Sequence, residues 1–186
     1  MKPAQPPRKI EETITIPQGI EVVLDGRKII VKGKLGTIER VITSQHIKFK
    51  KQDNMIIITS PSDLRKYKRL FYTIKSHIMN MIEGVQQLFT YKIKICSGHF
   101  PITVKIEGNN VIISNFLGEK IPRKSKILPN VAVKIDKDII TVQSFDLEAA
   151  GQTAANLEIT TSVGKRDRRV FQDGCHITEK PGRVFA

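Results

Sequence analysis

The chain has no tryptophan, and aromatic residues make up only 6% of its 186 positions. Readers of single-stranded nucleic acid usually stack bases on aromatics of an exposed sheet, so that mode is disfavoured. Cysteine occurs only twice, at Cys96 and Cys175. That is too few for a disulfide framework and points to a reducing compartment. No apolar run approaches the roughly 18 residues that a spanning helix needs, so no membrane partner is expected. The segment from Met1 to Lys9 is polar and carries Pro3, Pro6 and Pro7, which does not read as a secretion signal. Acidic charge is also scarce, with 18 Asp and Glu against 31 Lys and Arg, a net charge of +13.

Catalytic patterns are missing too. Gly33-Lys34-Leu35-Gly36-Thr37 is not a phosphate-binding loop, because the Gly-Lys-Ser/Thr ending is absent and no helix is expected after it. Cys96 and His99 have a spacing that could begin a zinc site, with Cys175 and His176 as the other half. Neighbours on a strand point to opposite faces, so Cys175 and His176 would not share one tetrahedral metal. Cys175 reads instead as a buried free thiol. His46 and His77 are isolated, and Asp136 and Asp138 flank a hairpin turn. No enzyme activity, metal or cofactor is therefore expected.

What the chain has is positive charge throughout. Residues 1–90 carry 16 basic and 8 acidic groups, and residues 91–186 carry 15 and 10. Such an excess opposes compaction and is expected where the partner is a polyanion. Clusters stand out at Lys120, Arg123, Lys124 and Lys126, at Lys165-Arg166-Asp167-Arg168-Arg169, and at Lys180 and Arg183. With few aromatics, these favour recognition of RNA backbone and shape over sequence reading.

Alternation with period two at Thr13–Ile16 predicts a strand, broken by Pro17-Gln18-Gly19. Further strands are predicted at Ile20–Leu24, Lys28–Lys32, Ile38–Ile42, Ile47–Lys50 and Met55–Ile58, with Asp25-Gly26 as a hairpin turn. Leu64, Tyr67, Phe71, Ile74, Ile78, Met81, Ile82, Val85 and Leu88 then recur at helical spacing. Ser60-Pro61-Ser62-Asp63 offers that helix a capping hydroxyl or carboxylate, and Gly84 an end. After residue 90 the pattern repeats. The stretch from Ile20 to Gly36 aligns without a gap onto Ile102 to Gly118, an offset of 82 residues (Gly26 to Gly108, Gly36 to Gly118). Both copies keep an acid-Gly turn, a β-branched run and a Leu-Gly step. A second helix is predicted from Asp146 to Leu157, made small-sided by Ala149, Ala150, Gly151, Ala154 and Ala155 so that it can lie close to its sheet.

The predicted fold is α+β, with two tandem similar modules, each an antiparallel sheet with one covering helix. The expected divisions are an extended basic N-terminal arm at 1–10, a first module at 11–86, a second module at 87–180 and a C-terminal tail at 181–186.

Several separated stretches resemble a known family. They are Val31-Lys32-Gly33 through Gly36, His77 to Val85, His99-Phe100-Pro101, Asn115 to Lys120, Gly151 to Asn156 and Arg166 to Gly174. The chain is similar through nearly its whole length to the universal large-subunit ribosomal protein family called L six in bacteria and L nine in most eukaryotes. The last three stretches look like its archaeal and eukaryotic branch. The Cys175-His176 pair departs from that pattern, as do residues 86–90. The resemblance implies a non-catalytic protein of the cytoplasmic ribosome, with two sheet-plus-helix modules and no cofactor. It implies that the second module docks on ribosomal RNA near the sarcin-ricin loop and the stalk base. Neighbouring ribosomal proteins of the stalk base would lie beside it, with translation factors nearby. By position, the implied RNA contacts are Asn115, Lys120, Arg123, Lys124, Lys126, Lys165, Arg166, Arg168, Arg169, Lys180 and Arg183, with His99 in a matched motif. Two readings compete with this one. A free regulatory protein with two RNA-recognition-like modules would show exposed strand aromatics, and an RNA-acting enzyme would show clustered carboxylates or a His/Lys pair.

Overall fold

The structure is a computed structural model, and it describes residues 9–44, 46–164, 166–167 and 169–185. Two compact units follow one another, the first ending at Gln87 and the second beginning at Leu88.

The first unit holds six strands and a helix. These are β1 (Ile10–Thr15), β2 (Glu21–Asp25), β3 (Lys28–Lys32), β4 (Thr37–Val41), β5 (Lys48–Gln52), β6 (Met55–Ser60) and α1 (Arg65–Gly84). The strands divide between two antiparallel sheets, ordered β1-β6-β5 and β2-β3-β4. Gly19 at φ 87° interrupts the chain after Pro17, which frees β1 to pair with the last strand of the unit rather than with the next. The predicted single sheet per module is thus two sheets, because the three-strand meander closes on itself. Ile14, Val22, Val31, Ile56 and Ile58 face the interior with Phe71, Ile74, Ile78 and Met81 of α1. The predicted helical stripe is therefore the buried one, except at its ends, where Leu64 and Leu88 are exposed.

The second unit repeats this plan in the same order. It comprises β7 (Phe89–Cys96), β8 (Thr103–Glu107), β9 (Asn110–Ser114), a short 3₁₀ turn (Phe116–Gly118), β10 (Arg123–Lys126), β11 (Ala132–Asp136), β12 (Ile139–Ser144) and α2 (Leu147–Thr160). Two further strands follow, β13 (Gly174–Lys180) and β14 (Arg183–Val184). The meander β10-β9-β8 matches β4-β3-β2, and β11-β12-β7 matches β5-β6-β1. β13 and β14 extend the latter sheet beyond β7. Gly26 and Gly108 sit at φ 57° and 56°, the same left-handed turn in both copies. Tyr91, Ile93, Val111, Ile113, Ile140, Val142, Ala150, Ala154, Leu157 and Cys175 form the core. The small side of α2 does bring it close to its sheet. A Cβ on Gly151 would stand 2.9 Å from the Tyr91 hydroxyl.

Several details differ from the expectations. The helix α1 has no side-chain cap: Leu64 is the N-cap, and the Ser62 hydroxyl accepts a bond from its amide one residue too early. The helix α2 runs three residues past Leu157, to Thr160, with Asp146 capping it by accepting from the Glu148 amide at 3.0 Å. Of the expected arm at 1–10, Ile10 already pairs with Ser60 in β1, and residues 1–8 lie outside the described residues. The expected tail at 181–186 is no free tail up to Val184, because Arg183 and Val184 pair back onto Lys180 and Glu179 across a turn at Gly182. The Leu-Gly step, finally, is shared in sequence but not in backbone. Gly36 is extended at φ 159° and leads directly into β4, whereas Gly118 is left-handed at φ 78° and four residues intervene before β10.

Candidate nucleic-acid interface

Four segments of the second unit converge at one end of its sheets: the loop 97–102 after β7, the turn 115–122 after β9, the C-terminus of α2, and the loop 161–173 before β13. Side-chain bonds between residues far apart in sequence hold them together.

Asp173 joins two of them. It is 2% exposed, and its carboxylate accepts from the Gly98 amide at 2.5 Å, the His99 amide at 2.9 Å and His99 Nδ1 at 2.5 Å. Burial pushes this carboxyl up. The bonds from the His99 amide, the His99 ring and the Gly98 amide, with the His99 charge, outweigh it and hold the group below its usual range. The His99 ring stacks on Phe171, centroids 4.6 Å apart, and the Arg166 guanidinium lies 4.7 Å from the centre of the same Phe171 ring. Within the loop, Asp167 accepts from the Arg169 amide at 2.9 Å and its carbonyl from the Phe171 amide at 2.9 Å, so this acid among the cations builds the turn.

Arg123 joins the other two. Nε and Nη2 donate to the Glu119 carboxylate at 2.8 and 2.5 Å, a forked pair across the inserted turn. Nη1 donates to the carbonyls of Thr160 and Ser162 at 2.7 and 3.2 Å, where α2 leaves carbonyls without helical partners. Its plane also lies 4.2 Å from the centre of the buried Phe116 ring. The hydrogen bond from Arg123 lowers the pKa of Glu119. Asn115 takes the left-handed conformation at φ 59° and donates from Nδ2 to the Pro101 carbonyl at 3.0 Å, while Phe100 sits against Gly118.

The residues expected to contact RNA sort themselves against this frame. Lys120, Lys124, Arg166 and Arg169 are exposed at this end, and among the described residues none forms an ion pair. Lys126 shares the outer face of β10 with Lys124, about 7 Å further along the strand. Arg123, Asn115 and His99 are part of the bracing, and Arg123 in particular spends its donors inside the chain. Lys180 and Arg183 are not brought to this end. Lys180 is six residues along β13 from Gly174, about 20 Å away. With Arg183 it flanks the Phe185 ring, at 5.2 and 4.8 Å, as a separate basic spot. Lys165 and Arg168 lie outside the described residues.

Sequence reasoning did not single out Asp173, Phe171 or Glu119. Each acts through a partner, and Asp173 has its partners 74 and 75 positions away. The Cys175 and His176 side chains do point to opposite faces, one buried and one exposed, and no metal-binding cluster exists among the described residues. Burial pushes the Cys175 thiol up to about 11, against a weaker opposing bond from Thr161. The strand aromatics Phe89 and Tyr91 are buried and Phe49 is half-buried, so no described strand offers the exposed aromatic platform of an RNA-recognition-like module. No helix among the described residues is long and apolar enough to cross a membrane.

The sequence pattern of the family described as Ribosomal protein L6 matches this chain twice, at residues 16–88 and 100–174. Among relatives, the large ribosomal subunit protein uL6 of Sulfurisphaera tokodaii is 44% identical over 91% of this chain and 91% of its own length. Its counterparts in Methanococcus vannielii and Aeropyrum pernix are 40% and 41% identical, over 95% and 92% of this chain and 97% and 94% of theirs. With one match in each structural unit and identity of this order from end to end, the chain belongs to the ribosomal protein L6 family.

Proposed function

We propose that this chain is a structural constituent of the large ribosomal subunit, in the cytoplasm, and that it binds ribosomal RNA through the loop end of its second module. The observation that carries the reading is a set of exposed cations outside any ion pair, Lys120, Arg166 and Arg169 on loops braced by Asp173 and Arg123, and Lys124 on β10 beside Arg123. Cations held on ordered loops lose little conformational freedom on contacting phosphates. The arrangement suits backbone recognition, since it offers point charges and few open aromatic faces. The docking position near the sarcin-ricin loop and the stalk base, with stalk-base proteins and translation factors as neighbours, is part of the same proposal. No catalytic role is assigned to any residue.

Two measurements test it. Sedimentation of cell extract at moderate salt should find the chain in the large-subunit fraction, and its absence there defeats the reading. Replacing Lys120, Lys124, Arg166 and Arg169 by alanine should reduce incorporation during subunit assembly. It should also flatten the salt dependence of RNA binding by about 0.9 units of slope for each phosphate no longer neutralised. An unchanged slope defeats the site.

A further inference from the structure

The two modules share a fold but not a charge pattern on their helices. α1 and α2 occupy the same place in the repeat, after its sixth strand, β6 in the first unit and β12 in the second. α1 carries Arg65, Lys66, Lys68, Arg69 and Lys75, whereas α2 carries no Lys or Arg at all and opens with Asp146 and Glu148. The cations of α1 are therefore not required by the fold, because its own duplicate does without them.

They are also poorly placed for the helix. Four of them sit in the first turn and a half of α1, where the helix dipole favours negative charge, and the first turn contains no acid. All four are exposed, and among the described residues none forms an ion pair. Arg69 Nε reaches only the Arg65 carbonyl of its own helix, at 3.4 Å. Lys75, further along the helix, is instead neutralised by Glu12 of β1.

The surroundings reinforce the charge. The His46 ring meets the Tyr67 ring edge-on at 5.2 Å, which brings the β4–β5 connection to the start of α1. Lys48 begins the edge strand β5, opposite Thr59, with Lys50 two residues on; both share the face of Thr59 and Ile57, opposite the buried Ile56 and Ile58. Residues 46–69 carry seven Lys and Arg beyond the turn at Asp53 and before it together, against only two acids, Asp53 and Asp63. Asp53 is in the β5–β6 turn, five residues along the strand from Lys48 and so about 17 Å away. Asp63 lies two residues before Arg65, and Glu11 flanks Thr59 on the side opposite Lys48.

We infer that the exposed face of the first half of α1 is a second RNA-binding surface, which holds the phosphate backbone of an RNA duplex independently of the loop end of the second module. Charge complementarity selects the occupant: Arg65 and Arg69, one turn apart on the solvent side, and Lys66 and Lys68 on either flank present donors over a convex ridge. A ridge of Arg and Lys, with Leu64 before it and the exposed Tyr72 ring one turn beyond it, fits a phosphate-lined groove through its donors.

The test uses the full chain with Arg65, Lys66, Lys68 and Arg69 changed to alanine, and a fully paired RNA hairpin as probe. Alanine is the best helix former and relieves the dipole, so the variant should melt no lower than the parent. Binding measured between 50 and 200 mM salt should show a slope shallower by about three units. That is a fall in affinity across the range about 60-fold smaller than the parent's. A slope within half a unit of the parent's overturns the inference. As a measurement on the parent chain alone, acylation of Lys66 and Lys68 should be suppressed by the RNA hairpin; equal labelling with and without RNA overturns it. Polyglutamate protecting these lysines at the same salt where the hairpin does not would assign the surface to an acidic protein and overturn it too. The alanine variant of Lys120, Lys124, Arg166 and Arg169 is run in parallel. A change there without a change in the α1 variant overturns this inference alone, and the reverse defeats only the proposed second-module site.

Discussion

Replacing Asp173 separates bracing from contact. The carboxylate is buried and accepts three bonds, two from backbone amides and one from the His99 ring. In Asp173→Ala, the Gly98 and His99 amides and His99 Nδ1 are left without their acceptor. A part-buried donor left unpaired costs about 1–3 kcal/mol, and some of that is recovered as water enters a loop this close to the surface. A net destabilisation of about 2–4 kcal/mol is expected, which for a unit of this size lowers its melting point by roughly 8 °C or more. In Asp173→Asn the shape is kept and Oδ1 can still accept from both backbone amides, but an NH2 replaces the oxygen that accepted from His99 Nδ1. About half the destabilisation is expected. The pH dependence follows from the depressed carboxyl. Its stabilisation is complete above the ordinary value of 3.8 and is lost as pH falls through the lower folded value. The gap between parent and Asp173→Asn should therefore be open above about pH 5 and close as pH falls below about 4. Because Asp173 touches no phosphate, Asp173→Asn should weaken RNA binding while leaving the salt slope unchanged. Urea unfolding and hydrogen exchange at Gly98 and His99 check the first part. A destabilisation under about 0.5 kcal/mol in Asp173→Ala, with both amides still protected, refutes the reasoning.

Arg123→Ala removes a forked pair and two carbonyl partners, and should cost about 1.5–3 kcal/mol by thermal unfolding; Arg123→Lys should recover less than half, since an ammonium cannot fork across Glu119 and reach Thr160 together. A Cβ on Gly33 would stand 2.6 Å from the Val85 Cβ, so Gly33→Ala must push the end of α1 away and should cost about 1–3 kcal/mol, read as a lowered urea midpoint. A maleimide at neutral pH should label Cys96 in the folded chain and leave Cys175 unmodified until denaturant is added, because Cys175 is fully buried and its thiol is pushed up to about 11.

The elements that can be read from the sequence are those whose signal is local. Lys28–Lys32 carries the β-branched run Ile29-Ile30-Val31 between turn residues, and it is a strand over those same residues. The stripe from Phe71 to Val85 is periodic, and those positions are buried. The start of α1 escapes the capping rule because both serines are used in the turn before it, the Ser60 hydroxyl donating to the Ser62 carbonyl and the Ser62 hydroxyl accepting from the Leu64 amide. The strand β10 has no local signal: its Arg-Lys-Ser-Lys sequence lacks apolar alternation, and only pairing to Val111–Ile113 and packing against α2 make it a strand. The cationic residues of the second-module site are visible in the sequence as charge. Their division into bracing and open groups is not, since it depends on contacts such as Arg123 to Thr160 that join positions 37 apart.

Both modules face the same physical problem, which is to present cations without leaving them so mobile that ordering them cancels the attraction. The second module uses loops. Segments without regular structure would cost much to order on binding, and Asp173, Arg123 and Asn115 order them beforehand at the expense of buried polar bonds. The four-residue insert after Gly118 exists in this module alone, and it is Glu119 at its start that gives Arg123 a carboxylate to fork onto. The first module uses a helix, where the backbone is already fixed and no bracing is needed, but where cations near the N-terminus work against the dipole. The acidic start of α2 shows that this fold does not need cations at the start of the helix. Stability should accordingly rise when the α1 cations are removed and fall when the second-module braces are removed, although both changes weaken RNA binding. That opposition distinguishes a surface charged at the expense of its fold from one braced by it.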